Sequence, residues 1–95
     1  RVTEFFKDLF RAGDLRKQII NTYKKFQTKT DEKGIFRPYM TARQLGNITK
    51  THLEDGRRIE DLTNIYNEAK FSEHTFEEDK VVKIKDAYNS IKKQL

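Results

Sequence analysis

Residues 81–95 read Val81-Val82-Lys83-Ile84-Lys85-Asp86-Ala87-Tyr88-Asn89-Ser90-Ile91-Lys92-Lys93-Gln94-Leu95. Val81, Ile84, Tyr88, Ile91 and Leu95 recur three and four residues apart, the period of one face of an α-helix, while the residues between them are largely polar. Lys92 and Lys93 fall in the last turn, where the helix carries partial negative charge. Five apolar positions do not fill the three or four heptads of a coiled coil, so this stripe belongs inside a bundle. Thr75 and Glu78 stand at capping-box spacing just before it.

Working back along the chain, Ile59, Leu62, Ile65, Tyr66 and Ala69 mark a preceding helix that ends near Phe71 and Ser72. Asp55 and Gly56 separate it from a helix predicted over Ala42 to about Leu53, with Leu45, Ile48 and Leu53 on its buried side. Thr41 and Gln44 supply a capping box for that helix. From Thr28 to Tyr39 the periodicity fades; Gly34 and Pro38 punctuate a polar linker that Ile35 and Phe36 tether to the core. Leu15, Ile19, Tyr23 and Phe26 share a face of another helix, capped by Asp14, with Arg16, Lys17, Lys24 and Lys25 on its solvated side. Val2, Phe5, Phe6, Leu9 and Phe10 form a short aromatic stripe stopped by Gly13.

The pattern predicts an all-α protein: a compact bundle of four or five helices, without strand alternation or internal repeats. Residues 1–13 form a juxtamembrane or first amphipathic helix, and residues 14–95 the bundle domain. Its core is expected to hold Leu15, Ile19, Tyr23, Phe26, Leu45, Ile48, Leu62, Ile65, Tyr66, Val81, Ile84, Tyr88 and Ile91.

Ninety-five residues support one hydrophobic core. Apolar residues are 35% and charged residues 37% of the chain, a polar balance, but eleven aromatics set it apart from a disordered segment. The net charge of +5 is uneven: residues 1–58 carry +7, residues 59–78 carry −5 and residues 79–95 carry +3. No apolar run reaches the roughly 18 residues of a membrane span, and no leader-like segment is present. Since the chain begins at Arg1 and its sole methionine is Met40, the natural start is expected upstream.

Chemistry has little to work with. Without cysteine there are no disulfides, thiolate ligands or thiol nucleophiles. His52 and His74 are the only histidines and fall in different segments, so no catalytic pair or zinc site is expected. Glu77, Glu78 and Asp79 cluster, but acids in a first turn complement the positive helix end. The glycines make no phosphate-cradling loop. No cofactor, metal or catalytic residue is expected, and the chain reads as a non-enzyme.

Two binding readings remain. The helices on either side of Asp55-Gly56 resemble a helix-turn-helix, but Glu60, Asp61 and Glu68 on the second would oppose phosphates, and Arg57 and Arg58 hardly offset them. Nucleic acid is therefore the weaker partner. The basic surplus also suits anionic lipid, with Phe5, Phe6, Lys7, Phe10 and Arg11 the candidate membrane or partner contact, although sealing the bundle core is the favoured reading of the three phenylalanines and the two roles are compatible.

Ile20, Tyr23 and Phe26, the run Thr41-Ala42-Arg43-Gln44-Leu45, and the run from Leu62 through Tyr66 and Ala69 to Ser72 together resemble the transglutaminase-like C-terminal domain. This helical family of unknown function is found at the end of multi-span bacterial and archaeal membrane proteins. The likeness covers about residues 14–93. It departs from the family pattern at Ala42 for proline, Gln44 for glutamate, and Lys70 and Phe71 for arginine and tyrosine; glutamine can still complete a capping box. The resemblance implies a cytoplasmic tail after the last span of a longer membrane protein; such a tail is expected to dock another cytoplasmic protein, a second copy or the inner lipid surface and to couple that state to the membrane-embedded remainder. Lysine and arginine beside a span fit the positive-inside rule. Transglutaminase chemistry needs a cysteine, so the resemblance implies no catalytic residue here.

Overall fold

The computed structural model describes residues 13–71 and 78–95, which form an all-α bundle of four helices. They are α1 (Gly13–Glu32), α2 (Ala42–Lys50), α3 (Arg57–Phe71) and α4 (Glu78–Gln94). Helices α1, α3 and α4 pack against one another, and the short α2 packs on α3. Side-chain pairings set the directions. Tyr23 meets Tyr66 and Arg16 reaches the Ala69 carbonyl, making α1 and α3 antiparallel. Lys80 pairs with Glu68 at one end of α3 and α4, while Gln94 reaches Asp55 at the other, so these two are antiparallel as well. Gln18 faces Lys85, and Lys92 stands near Lys29, so α1 and α4 run parallel.

α1 buries Leu15, Ile19, Tyr23 and Phe26, as their spacing predicts. It also runs past the expected linker start at Thr28. The reason is Thr30, which is fully buried and whose hydroxyl donates to the carbonyls of Phe26 (3.1 Å) and Gln27 (2.8 Å). A threonine that returns its donor to its own helix can occupy a core position without leaving a polar atom unpaired. Thr22 does the same toward Gln18 (2.9 Å), as does Thr49 of α2 toward Leu45 (2.7 Å). The helix closes on Gly34 at φ 77°, with Gly34 N–H donating to the Asp31 carbonyl and Ile35 N–H to that of Thr30. This left-handed closure suits glycine and turns Ile35 into the core. Asp14, expected as a cap, lies within the helix, whose first residue is Gly13.

α2 opens on the expected box: Gln44 N–H donates to Thr41 Oγ1 (3.1 Å), and Thr41 N–H to Gln44 Oε1 (2.9 Å). It ends at Lys50, short of the predicted Leu53, and presents a different face. Leu45, Gly46 and Thr49 are buried, whereas Ile48 is 42% exposed and not part of the core. The cause is Gly46. A Cβ there would sit 3.0 Å from both Ile59 Cγ2 and Thr63 Oγ1 of α3, so the bare backbone is what lets the helices approach.

α3 buries Ile59, Leu62, Thr63, Ile65 and Ala69. Tyr66 is half-buried rather than interior, yet its ring lies on that of Tyr23 with centroids 3.8 Å apart and planes 12° apart. In α4 the interior positions are Val81, Ile84, Ala87 and Ile91. Ala87 takes the enclosed place expected for Tyr88, and the larger ring lies half-buried on the flank. The Thr75 box falls outside the described residues.

Two substitutions test this packing. Gly46→Ala gains up to about 1 kcal/mol of helix propensity but overpacks at about 1–3 kcal/mol, so a net loss of about 1 kcal/mol is expected in denaturant unfolding, and more for Gly46→Val. An unchanged midpoint for Gly46→Val would mean that α2 is not seated as described. Tyr23 is fully buried and its hydroxyl has no partner among the described residues. Tyr23→Phe should therefore leave stability unchanged or raise it by about 1 kcal/mol, since it removes an unsatisfied group while keeping the ring.

Candidate functional site

Phe5, Phe6, Lys7, Phe10 and Arg11, the contact residues expected from sequence, lie outside the described residues, as do His74 and Glu77. His52 is exposed in the turn that follows α2. Among the described residues no three histidine, aspartate or glutamate side chains gather as a metal site would require, and no helix is long and apolar enough to cross a membrane. The exposed apolar side chains are scattered: Tyr39 lies in the loop before α2, and Ile48, Phe71 and Val82 on α2, α3 and α4.

What the fold does organise is charge. Along the seam of α3 and α4, acids and bases are matched: Glu68 with Lys80 at 3.0 Å and Asp61 with Lys83 at 3.9 Å. Between α2 and α3, Lys50 pairs with Glu60, whose carboxyl is held below its usual range mainly by that hydrogen bond. Arg16, expected to be solvated, is half-buried and donates to the Ala69 carbonyl at the end of α3. The acids of α3, Glu60, Asp61 and Glu68, are thus each occupied with a basic neighbour.

The seam of α1 and α4 differs. Lys24, Lys25 and Lys29 from α1 and Lys92 from α4 line a shallow hollow of about 390 Å³, together with Asn21, Thr28, Glu32 and Tyr88. None of the four lysines forms an ion pair among the described residues, although Glu32 is within the same hollow. The Lys92 ammonium rests 5.5 Å from the centroid of the Tyr88 ring, one turn back on its own helix. An adjoining hollow, lined by Arg16, Lys17, Ile20, Asn21 and Lys24, extends the basic surface along α1. A concave surface with an excess of one sign concentrates its potential and draws counter-charge.

Sequence reading placed Lys24 and Lys25 on a solvated face and assigned Lys92 to the helix dipole. It did not join them, because the parallel docking of α1 beside α4 is a tertiary fact. Lys25 and Lys29, one turn apart with no acid between them, were the local signal. Comparisons with family models, curated proteins and solved structures return no match.

The clearest pH response sits away from this face. Asp55 accepts from the Arg57 backbone N–H (3.1 Å) and from its guanidinium (2.8 and 3.0 Å), and hydrogen bonding to Arg57 pulls its carboxyl from 3.8 down to about 2. A folded value below the unfolded one gives stability that is present above about 3.8 and lost as pH falls toward about 2. Asp55→Asn should flatten the acid limb of the stability curve across that window, measured by denaturant unfolding at stepped pH. An unaltered acid limb would show that the carboxylate is not coupled to folding.

Proposed function

We propose that this chain is a non-catalytic interaction module whose α1–α4 face docks an anionic partner, as the cytoplasmic helical tail of a larger membrane protein. The observation carrying the first part is the unmatched lysine cluster of Lys24, Lys25, Lys29 and Lys92, set beside seams whose charges are matched. The attachment to a membrane protein is supported by the resemblance to the transglutaminase-like C-terminal domain and by the basic surplus that the positive-inside rule favours. In that setting the module couples the state of its membrane-embedded neighbour to whatever it docks.

The alternative, a DNA-binding regulator, has less support. Its reading helix would be α3, which contacts all three other helices and carries Glu60, Asp61 and Glu68. A recognition helix needs a free face rich in donors to enter the major groove.

Retention on a heparin matrix tests the docking face. Each well-placed lysine contributes about 1 kcal/mol, so Lys25→Gln with Lys29→Gln should weaken binding roughly 30-fold, with elution at lower salt. Lys80→Gln with Lys83→Gln, which removes only matched cations, should change little. Equal loss in both variants would overturn the assignment of the face.

A further inference from the structure

The geometry points to the hollow between α1 and α4 as a binding site for a phosphorylated anion, with Lys25, Lys29 and Lys92 supplying charge and Asn21 and Thr28 supplying neutral donors. The inference rests on the α1–α4 face being the docking surface and names the chemistry it receives.

Lys25 and Lys29 are one helical turn apart, Lys24 stands beside them, and Lys92 faces them from α4. Like charges at that spacing repel, and Glu32, the carboxylate that lines the hollow among the described residues, forms no ion pair with them. A multivalent anion seated there meets several ammonium groups at once. Asn21 and Thr28 make no side-chain hydrogen bond among the described residues, which leaves an amide and a hydroxyl free to donate alongside the ammonium groups.

A phosphate matches this set better than a carboxylate does. It concentrates up to two charges and several acceptor oxygens in one small group, and ammonium ions bind it as compact point charges from several directions. The lysines are gathered at one place between two helices, which suits a few phosphate groups rather than a duplex, whose charge is spread along its length. The ligand is either a free polyphosphate or the headgroup of an anionic phospholipid; their common feature is the phosphate.

Sodium tripolyphosphate titrated into the full chain, followed by calorimetry and by thermal unfolding, tests the site. Saturation at one equivalent is expected, with a higher Tm than in sodium chloride at equal ionic strength. Affinity should fall about 25-fold in Lys29→Gln/Lys92→Gln and stay within twofold in Lys80→Gln/Lys83→Gln, with both variants checked for native circular dichroism. Co-sedimentation with phosphatidylcholine vesicles, with and without phosphatidylglycerol, separates the sources. Binding only to the phosphatidylglycerol vesicles, lost in the same double variant and competed by tripolyphosphate, identifies a headgroup; binding of tripolyphosphate alone identifies a soluble anion. Neither probe binding while heparin retention persists would overturn the phosphate site and leave the docking module standing. Equal weakening in both variants, or binding of duplex DNA with no response to tripolyphosphate, would overturn it too.

Discussion

Tyr23 lies flat on Tyr66 at the heart of the contact between α1 and α3, and Phe26 leans on the same ring with centroids 5.4 Å apart. Such pairs contribute about 0.5–1.5 kcal/mol beyond the area they bury. The stack also imposes a constraint: the Tyr23 hydroxyl is carried into the interior without a partner, and burial, reinforced by Tyr66, pushes its ionisation well above the ordinary range. Burial of the ring outweighs the unsatisfied oxygen because the ring's apolar area is large. Fixing α1 against α3 in this register leaves α3 central, with α2 on one side and α4 on another. The rest of the bundle is arranged around that pair.

Much of this was legible in the residues. The capping box at Thr41 and Gln44 is a local hydrogen-bond pattern, and it forms as read. The stripes of α1, α3 and α4 were visible because branched and aromatic side chains mark them. What was hidden has a common cause. Where the core admits a threonine, as at Thr30 and Thr49, or a glycine or alanine, as at Gly46 and Ala87, hydropathy reports a polar or neutral residue and the stripe seems to stop or turn. The hydroxyl that donates back along its helix makes those positions interior, and the missing side chain makes close approach possible. Ile48 and Tyr88 look like core residues in sequence but yield the inner places to smaller neighbours.

Charge follows a similar division between local and tertiary information. The excess of lysine and arginine could be counted, yet which cations are matched depends on what each helix lies against. Asp61 and Glu68 find Lys83 and Lys80 across one seam; Lys25, Lys29 and Lys92 share the next with Glu32 but form no ion pair there among the described residues. The uneven distribution along the chain thus becomes an uneven distribution around the bundle. That conversion is what gives a small polar domain a face with a sign.

Parallel neighbours cannot be joined by a tight turn. Gln18 and Lys85, which face each other across α1 and α4, stand 67 residues apart in the chain. Closing so long a loop comes at an entropic cost that only the assembled bundle offsets. The cationic hollow therefore has no existence in short fragments or in the unfolded ensemble, where its ammonium groups disperse into solvent. Occupancy and integrity of the domain become a single thermodynamic event, so that any ligand there acts as a clasp between the first and last helices.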